Sequence, residues 1–457
     1  MAGKESNPIH QRIELLTEKW EAIIKNPDVS LVRINAKDNE KEMVDTFYTY
    51  LLGVDTDNHD IPIIFNSIYH EDRQYSQALL AELEEMIDIW NDADKSKVEI
   101  VIEQLDWKPD HNLIDADNPA CLFIRNINNL ATFLKLPNDI HLVPILRVSL
   151  ADIKGLTRWL NFLLKAGVDP KVKLLTDDTF SHPHFQSFAE KNPGQVVTLV
   201  PDLNMDKAMQ QVAALGNPND PGVQYRKAFL AMMQAIEQRK EKETAKHAAE
   251  CIQIAYKNLE KNPYWIGQVI AVNAALANDQ VGYRNFKKAI EFSTNGVIAA
   301  EAAKEIIPDE YIHRKFMAQA IMLRASLYVA SKEWISAVKD FTEATEHYTY
   351  TNDLILGMEA YRMIGYCYDK AGNRDAACNA LTEALCVSGT ISPNMIKYTT
   401  FGGIIEHLLE INNQKYISNQ DLREIAIEVY GDDWMREIKN WKNPDYDQVS
   451  SPENSMA

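Results

Sequence analysis

A short segment with two acids and two histidines is the best candidate for chemistry in this sequence. Asp177 and Asp178 are followed closely by His182 and His184, which flank a proline. Carboxylate oxygens and imidazole nitrogens together can hold zinc or manganese, or can transfer protons. The same residues also suit a polar loop in which Asp178 caps the next helix and both histidines are half exposed. Because no further ligand stands out, we expect no metal and no other cofactor here.

The patterns of the common catalytic sites are missing. The chain has no G-x-S-x-G elbow, no H-E-x-x-H pair and neither of the glycine-rich phosphate-binding motifs. The first predicted strand is followed by Lys-Asp-Asn-Glu-Lys, which has no glycine and places two acids where a phosphate would lie. We therefore expect a protein that is not an enzyme and does not bind nucleotide in the conventional way.

Length and composition indicate a protein of two or three globular domains. The chain has 457 residues, of which 46% are hydrophobic and 25% charged, and its formal net charge is −19. This charge would repel nucleic acid, and no apolar run approaches the roughly 20 residues that cross a bilayer. The first residues form no secretion signal, and the five cysteines show no C-x-x-C pair, so we expect a cytoplasmic protein with free buried thiols. The cysteines are Cys121, Cys251, Cys367, Cys378 and Cys386.

Residues 1–217 have the pattern of an α/β domain. Short runs rich in Val, Ile and Leu alternate with amphipathic stretches, as in a mainly parallel sheet with helices on both faces. We predict five strands, at residues 30–36, 60–66, 141–147, 172–178 and 196–202. We predict helices at residues 77–90, 153–164 and 205–215. The segment 94–119 fits either a strand or a helix, and both alternatives stay open.

Residues 222–442 are predicted to be entirely helical, with breaks at Asn262-Pro263, Asp279-Gln280, Pro308-Asp309 and Gly372-Asn373. This half contains a repeat of the tetratricopeptide type. One copy comprises Tyr361, Ile364, Gly365, Tyr368, Gly372, Ala377, Leu381 and Ala384. The copy before it comprises Ile321, Ala325, Tyr328, Trp334, Ala337, Phe341 and Ala344, with Arg324 at the aliphatic position. The small residues of such a repeat let two antiparallel helices approach closely.

Three further features complete the predicted helical half. The two copies are 40 residues apart, and we assign the six residues beyond the usual 34 to a turn at residues 347–353. Weaker copies precede them, one through Ala248, Ile252 and Ala255, the other through Ala274, Ala277, Tyr283 and Ile290. Helices at residues 395–410 and 419–429 are expected to cap the stack, and the tail 443–457 has too few apolar residues to fold.

The first helices of such hairpins line a concave groove that can hold a helix or an extended peptide. Candidate groove residues on these helices are Arg314, Gln319, Met322, Arg324, Arg362 and Met363. The arginines among them could clamp a carboxylate or an acidic motif. The sequence therefore predicts a protein-binding surface in the helical half.

The sequence resembles tetratricopeptide-repeat proteins through the repeat residues above. Its layout is also similar to adaptor or chaperone proteins of type VI secretion. This second resemblance is carried by Trp20, by Leu31-Val32-Arg33, by Ile63-Ile64-Phe65, by the helix ending at Trp90, and by residues 196–205. It implies a non-catalytic bacterial adaptor that binds an effector or a spike protein. Two alternatives stay open: a regulatory or defence protein with a degenerate nucleotide-binding-like domain and a helical sensor arm, and a metal-dependent enzyme that uses His182 and His184.

Overall fold

The computed structural model of the chain describes residues 7–53, 58–93, 104–148 and 152–439. The chain divides into two compact units, Met1–Val212 and Ala213–Ala457, and each is described by itself. The first ten residues of the ambiguous segment 94–119 lie outside the described residues, and residues 104–119 form neither helix nor strand. The predicted tail at residues 443–457 also lies outside them.

The first unit is built on a parallel sheet of five strands in the order β2-β3-β4-β1-β5. The strands are β1 (Leu31–Ala36), β2 (Ile61–Phe65), β3 (Leu142–Leu146), β4 (Leu174–Thr179) and β5 (Val196–Leu199). All five predicted strands are confirmed. They form because runs of β-branched and aliphatic residues can be buried on both faces of a sheet.

The described part of the first unit has seven α-helices beside the sheet, in agreement with the predicted α/β fold. They are α1 (His10–Ile24), α2 (Lys41–Leu52), α3 (Asp72–Asp92), α4 (Cys121–Leu134), α5 (Ile153–Ala166), α6 (Gln186–Lys191) and α7 (Met205–Ala213). One face of β1, beginning at Leu31, packs in a core with α3, α4, α5 and α6. The other face, beginning at Val32, packs in a separate core with α1 and α2. The two cores follow from the alternation of side chains along each strand.

The described part of the second unit contains helices only, arranged as four consecutive hairpins and a cap. The hairpins are α8 (Pro221–Glu237) with α9 (Glu241–Asn258), α10 (Ile266–Gly282) with α11 (Phe286–Ile306), α12 (Glu310–Ala330) with α13 (Trp334–Thr351), and α14 (Leu354–Lys370) with α15 (Arg374–Ser388). The cap comprises α16 (Pro393–Ile396), α17 (Phe401–Ile411), α18 (Asn419–Tyr430) and α19 (Trp434–Lys439). The two clear repeat copies and both weaker copies lie within these hairpins.

The same tight turn closes every hairpin. One residue in each turn has a left-handed backbone, with φ of 56° at Arg239, 57° at Arg284, 64° at Lys332 and 82° at Gly372. The amide of the next residue donates to the carbonyl five residues before it, as from Asn285 to Gln280 and from Asn373 to Tyr368, each at 2.9 or 2.8 Å. This bond satisfies a carbonyl that the end of a helix would otherwise leave unpaired. The repeat is therefore a repeat of turns as well as of side chains.

The small residues of the last hairpin lie where its two helices touch. A Cβ atom on Gly365 of α14 would stand 2.6 Å from Cγ of Leu381 and 3.2 Å from the carbonyl oxygen of Ala377, both on α15. Ala377 and Ala384 are fully buried, as are Ala325, Ala337 and Ala344 in the hairpin before. The predicted close approach of the paired helices at Gly365 and Ala377 is thus present in the structure.

Apart from shifts of a few residues at element ends, such as α3 beginning at Asp72 and β5 ending at Leu199, three boundaries differ from the prediction. Helix α10 continues through Asp279 and Gln280 to Gly282, because both side chains are buried and the turn forms only at residues 283–285. The six extra residues do not form a turn at 347–353. They lengthen the helices, and α13 runs to Thr351, since nothing between His347 and Thr351 interrupts a helix. The predicted helix at 395–410 is two helices, α16 and α17, separated by residues 397–400.

Cys386 also departs from expectation, because its side chain on α15 is exposed whereas the other four cysteines are buried and unpaired. The cap shares a core with α15 through Leu381, Phe401 and Leu408, which are fully buried. Among the residues that the structure describes, no helix is both long enough and apolar enough to cross a membrane.

The contact at Gly365 yields a matched test on one helix. We expect Gly365→Ala to lower the free energy of unfolding by about 1–3 kcal/mol, because the added methyl group must displace Leu381. The control is Gly357→Ala on the same helix, where the nearest atom would lie at an ordinary 3.6 Å. That change should be neutral or stabilise by up to about 1 kcal/mol through helix propensity. Urea denaturation followed by circular dichroism measures both. Equal effects of the two changes would contradict close packing at Gly365.

Candidate functional site

The first place to look for a ligand is the carboxyl edge of the sheet between β1 and β4. After β1 the chain crosses to one edge of the sheet, and after β4 it crosses over β1 to the other edge. Ligands of open α/β sheets bind in the crevice that such a reversal creates. A cavity of about 200 Å³ lies there, lined by side chains that include Ala36, Asp45, Arg147, Asp177 and His184.

The turn after β1 is occupied by an acid of the chain itself. Glu40 is buried, and its carboxylate accepts hydrogen bonds from the amide of Lys37 at 3.1 Å and the amide of Leu203 at 2.6 Å. The ammonium group of Lys37 lies 2.8 Å from Asp202. In a phosphate-binding turn, free backbone amides would point at the ligand. Here the buried carboxylate of Glu40 accepts hydrogen bonds from two amides next to this turn. Its negative charge disfavours the binding of a phosphate.

Arg147, at the carboxyl end of β3, is held between two acids. Its Nη1 lies 2.7 Å from Asp45 and its Nε lies 3.1 Å from Asp177. The hydroxyl of Tyr48 also donates to Asp177. Burial raises the pKa of Asp177, while the charge of Arg147 opposes that shift. The guanidinium group is therefore already neutralised by the chain and is not positioned to bind a phosphate.

Three members of the candidate cluster, Asp177, Asp178 and His184, line the same cavity, but each carboxylate is bonded to a different part of the chain. Side chains alternate along β4, so Asp177 faces Tyr48 while Asp178 faces the opposite side of the sheet. Asp178 accepts from the amides of His184 at 2.8 Å and Phe185 at 3.0 Å, directly before α6. His182 is exposed and His184 is half buried. Among the described residues, no three His, Cys, Asp or Glu side chains gather so that they could hold a metal ion.

Asp178 has a structural partner that the sequence analysis missed. Nε of Arg33 on β1 lies 3.0 Å from Oδ2 of Asp178, and both side chains are fully buried. Burial lowers the pKa of Arg33, and the charge of Asp178 opposes that shift. The two amino groups of Arg33 make no hydrogen bond with the described residues. A charged residue inside the strand pattern Leu-Val-Arg-Ile was the signal that could have indicated a buried ion pair.

The candidate groove residues on α12 and α14 are largely engaged within the stack. Arg324 forms two hydrogen bonds with Asp340 of α13, at 2.7 and 2.9 Å, and only 17% of its side chain is exposed. Arg362 forms a similar pair with Glu359, at 2.7 and 2.6 Å. Both arginines are paired with acids of the chain itself, so binding a foreign carboxylate would require them to exchange these partners. That they clamp an acidic motif stays a prediction.

The remaining candidates are more accessible. Arg314 contacts Glu310 at 2.8 Å and lies 4.3 Å from the ring centre of Tyr350. Gln319 is exposed, whereas Met322 and Met363 are half buried against the core of the stack. The structure thus leaves Gln319 and the two methionines as first-helix side chains that another molecule could reach.

Two openings larger than the cavity of the first unit lie at an earlier point of the stack, between α8 and α10, the first helices of the first two hairpins. A cavity of about 500 Å³ is lined by Phe229, Met233, Ile236, Glu237, Arg239, Ala275, Asn278, Asp279 and Gly282. A second cavity of about 370 Å³ is lined by Gly222, Tyr225, Arg226, Asn262, Tyr264, Trp265 and Gln268. This seam was not predicted from the sequence, although large apolar residues recur along α8 at the spacing of one helix face.

An acid is buried at the edge of the larger cavity. Asp279 is 7% exposed, and burial raises its pKa, while a hydrogen bond from Gln280 and the charge of Arg239 oppose the shift. Arg239 lies over the ring of Tyr283, 5.0 Å from its centre. This end of the seam therefore combines apolar walls with polar groups at its rim, as ligand-binding clefts usually do.

Comparisons with known proteins add little to this geometry. No protein-family model matches the chain, and no curated protein matches it. Among solved structures, the chain is similar to a signal transduction ATPase with numerous domains from Pyrococcus horikoshii, which has a tetratricopeptide repeat sensor. The TM-score is 0.31 and the sequence identity 11%, over 94% of this chain and 80% of that chain. The α/β unit and the tetratricopeptide-like hairpins are established by the elements of the chain itself.

Variants of Asp178 and His182 distinguish a structural role of this segment from a metal site. We expect Asp178→Ala to cost about 3–5 kcal/mol of stability, because it leaves Arg33 buried without its carboxylate partner and removes the acceptor of three backbone amides. His182→Ala should change stability by less than about 0.5 kcal/mol, because the ring is exposed. Thermal unfolding of both variants measures this. Stoichiometric zinc in the wild type, lost in His182→Ala, would instead support the metal site.

Proposed function

We propose that the chain is a non-catalytic binding protein whose helical stack holds a segment of a partner protein. One observation carries the proposal. The first helices of the stack leave a seam with two cavities, of about 500 and 370 Å³, in which large apolar or aromatic side chains lie beside polar ones. Grooves between helices are a common way of binding a helix or a peptide. The crevice of the α/β unit, by contrast, is occupied by ion pairs of the chain itself.

The proposal has a narrower version, in which the protein is an adaptor or chaperone and the partner is a type VI secretion effector or spike protein. It rests on the resemblance of the sequence layout alone. Identification of a cross-linked partner by mass spectrometry tests it directly.

A second candidate is a regulatory protein in which the stack senses a partner and the α/β unit responds. The observation that favours it is the cavity between β1 and β4, at the position where a doubly wound sheet binds ligands. The two candidates differ in whether this cavity still takes a nucleotide.

A nucleotide titration separates the two candidates. We expect that ATP or GTP with magnesium leaves the melting temperature of the full chain unchanged, because Glu40 and Asp177 place negative charge where phosphates would lie. A ligand at 100 times its dissociation constant would stabilise the folded state by about 2.7 kcal/mol, which differential scanning fluorimetry detects easily. A saturable rise in melting temperature would favour the regulatory candidate.

Site-specific cross-linking tests partner binding itself. A photoreactive amino acid is placed in the full chain at Met233, Met322 or Met363, on first helices of three hairpins. The matched controls are Ile298 and Ile335, which are 56% and 65% exposed on second helices. After irradiation in the cells from which the chain comes, we expect one partner to be cross-linked from first-helix positions and not from the controls. Equal cross-linking from both sets, or none from either, would contradict the proposal.

A further inference from the structure

The seam between α8 and α10 has walls of unequal size. Phe229, Met233 and Ile236 recur on α8 at steps of four and three residues, which places them on one helix face. The α10 wall is built from small or polar residues, among them Ala275 and Gly282. Large side chains on one side and small ones on the other leave a trough, which we call the α8–α10 trough. Met233 is 41% exposed in it.

The trough is long enough for a helical segment. The two cavities lie along the same pair of helices, one near Gly222 and Trp265, the other near Ile236 and Gly282. Each of these helices has 17 residues, which corresponds to about 25 Å at 1.5 Å per residue. Both walls are helices whose backbone groups are paired internally, so they offer an extended peptide few backbone partners. A helix brings its own backbone hydrogen bonds and fits such walls better.

Cations are concentrated where the trough ends at the first two hairpin turns. Residues 237–243 and 279–288 contain six Lys or Arg and four Asp or Glu, in a chain of net charge −19. Lys240 lies 3.7 Å from Glu243, and Lys288 lies 3.3 Å from Glu241. Arg284 and Lys287 are exposed and make no ion pair with any residue that the structure describes. The cavity at this end is itself lined by Glu237, Asp279 and Arg239. The excess of cations lies on the two turns that follow it in sequence, and it attracts acidic side chains there.

We propose that the α8–α10 trough binds an amphipathic helix of a partner protein that presents bulky apolar side chains followed by acidic residues. The inference rests on the proposed function and specifies its site and the chemistry of the partner. The apolar side chains enter the cavity beside Met233, and the acids lie against Arg239 and Arg284.

The test uses a synthetic helical peptide labelled with fluorescein and the full chain. The peptide carries leucines at the i, i+3, i+4 and i+7 positions and glutamates at its carboxyl end. One matched peptide has lysine for each glutamate, and a second has serine for each leucine. Fluorescence anisotropy measures binding. We expect the acidic peptide to bind at least about tenfold more tightly than either matched peptide. Equal affinity for the lysine peptide, or no measurable binding of the acidic one, overturns the proposal.

Two pairs of variants locate the site. Met233→Glu should weaken binding of the acidic peptide by about tenfold or more, and Ile335→Glu, the same kind of change on an exposed residue of α13, should not. Arg284→Glu should weaken it several-fold. Its control is Arg374→Glu at the fourth hairpin turn, where the side chain is 75% exposed. Equal losses within either pair overturn the proposed site.

The outcomes separate this inference from the function on which it rests. Partner cross-linking from Met322 or Met363 together with unchanged peptide binding in Met233→Glu would retain a protein-binding stack and reject the trough. Absence of cross-linking from every first-helix position would reject the proposed function itself. Concentration-dependent dimerisation that Met233→Glu abolishes would show that a second copy of the chain occupies the trough, which also overturns the proposal.

Discussion

Two antiparallel helices can approach only as closely as the side chains between them allow, and the second unit depends on this constraint. At Gly365 the missing methyl group is replaced by Leu381 of the facing helix, so the hairpin closes and its core is filled. At Gly282 on α10 the atoms nearest to the equivalent space belong to the guanidinium group of Arg239, 2.9 Å from where a Cβ atom would stand. A flexible polar group at the rim can move aside, whereas a buried leucine cannot. Glycine therefore allows a closed contact at Gly365, whereas the contact at Gly282 stays open.

In the first unit, by contrast, electrostatic interactions within the chain occupy a place where a ligand could bind. Its sheet has a reversal between β1 and β4 and a small cavity at that point, which are the elements of a ligand site. Yet two charged groups at or next to this cavity are used internally: Glu40 accepts from two backbone amides, and Arg147 joins two carboxylates. Removing charges from water is costly, and such groups remain buried only where partners compensate them. These bonds stabilise the fold and leave little to offer a phosphate.

The parts of the structure that depend on local pattern could be predicted from the sequence. The strands follow from aliphatic runs, and the hairpins follow from small residues such as Gly365 and Ala377 at fixed offsets. Interactions across elements could not be predicted, because the pairing of Arg324 with Asp340 depends on how two helices are rotated against each other. The opposite directions of Asp177 and Asp178 could have been inferred from the alternation along a strand. The trough was missed because the first hairpin matches the repeat pattern only weakly, and its open seam reflects that poor match.

The charge of the whole chain limits what electrostatics can contribute at the trough. A net charge of −19 repels an acidic partner at long range, and six cations at two turns attract it only within about one Debye length, roughly 8 Å at physiological salt. The affinity must therefore come mainly from apolar burial, where each bulky side chain contributes about 1.5–3 kcal/mol when it leaves water. The cations then determine the direction in which the helix lies, because a helix bound in the opposite direction would place its acids away from Arg239 and Arg284. Apolar side chains such as Met233 therefore supply the affinity for the partner helix, and the charged rim sets its direction.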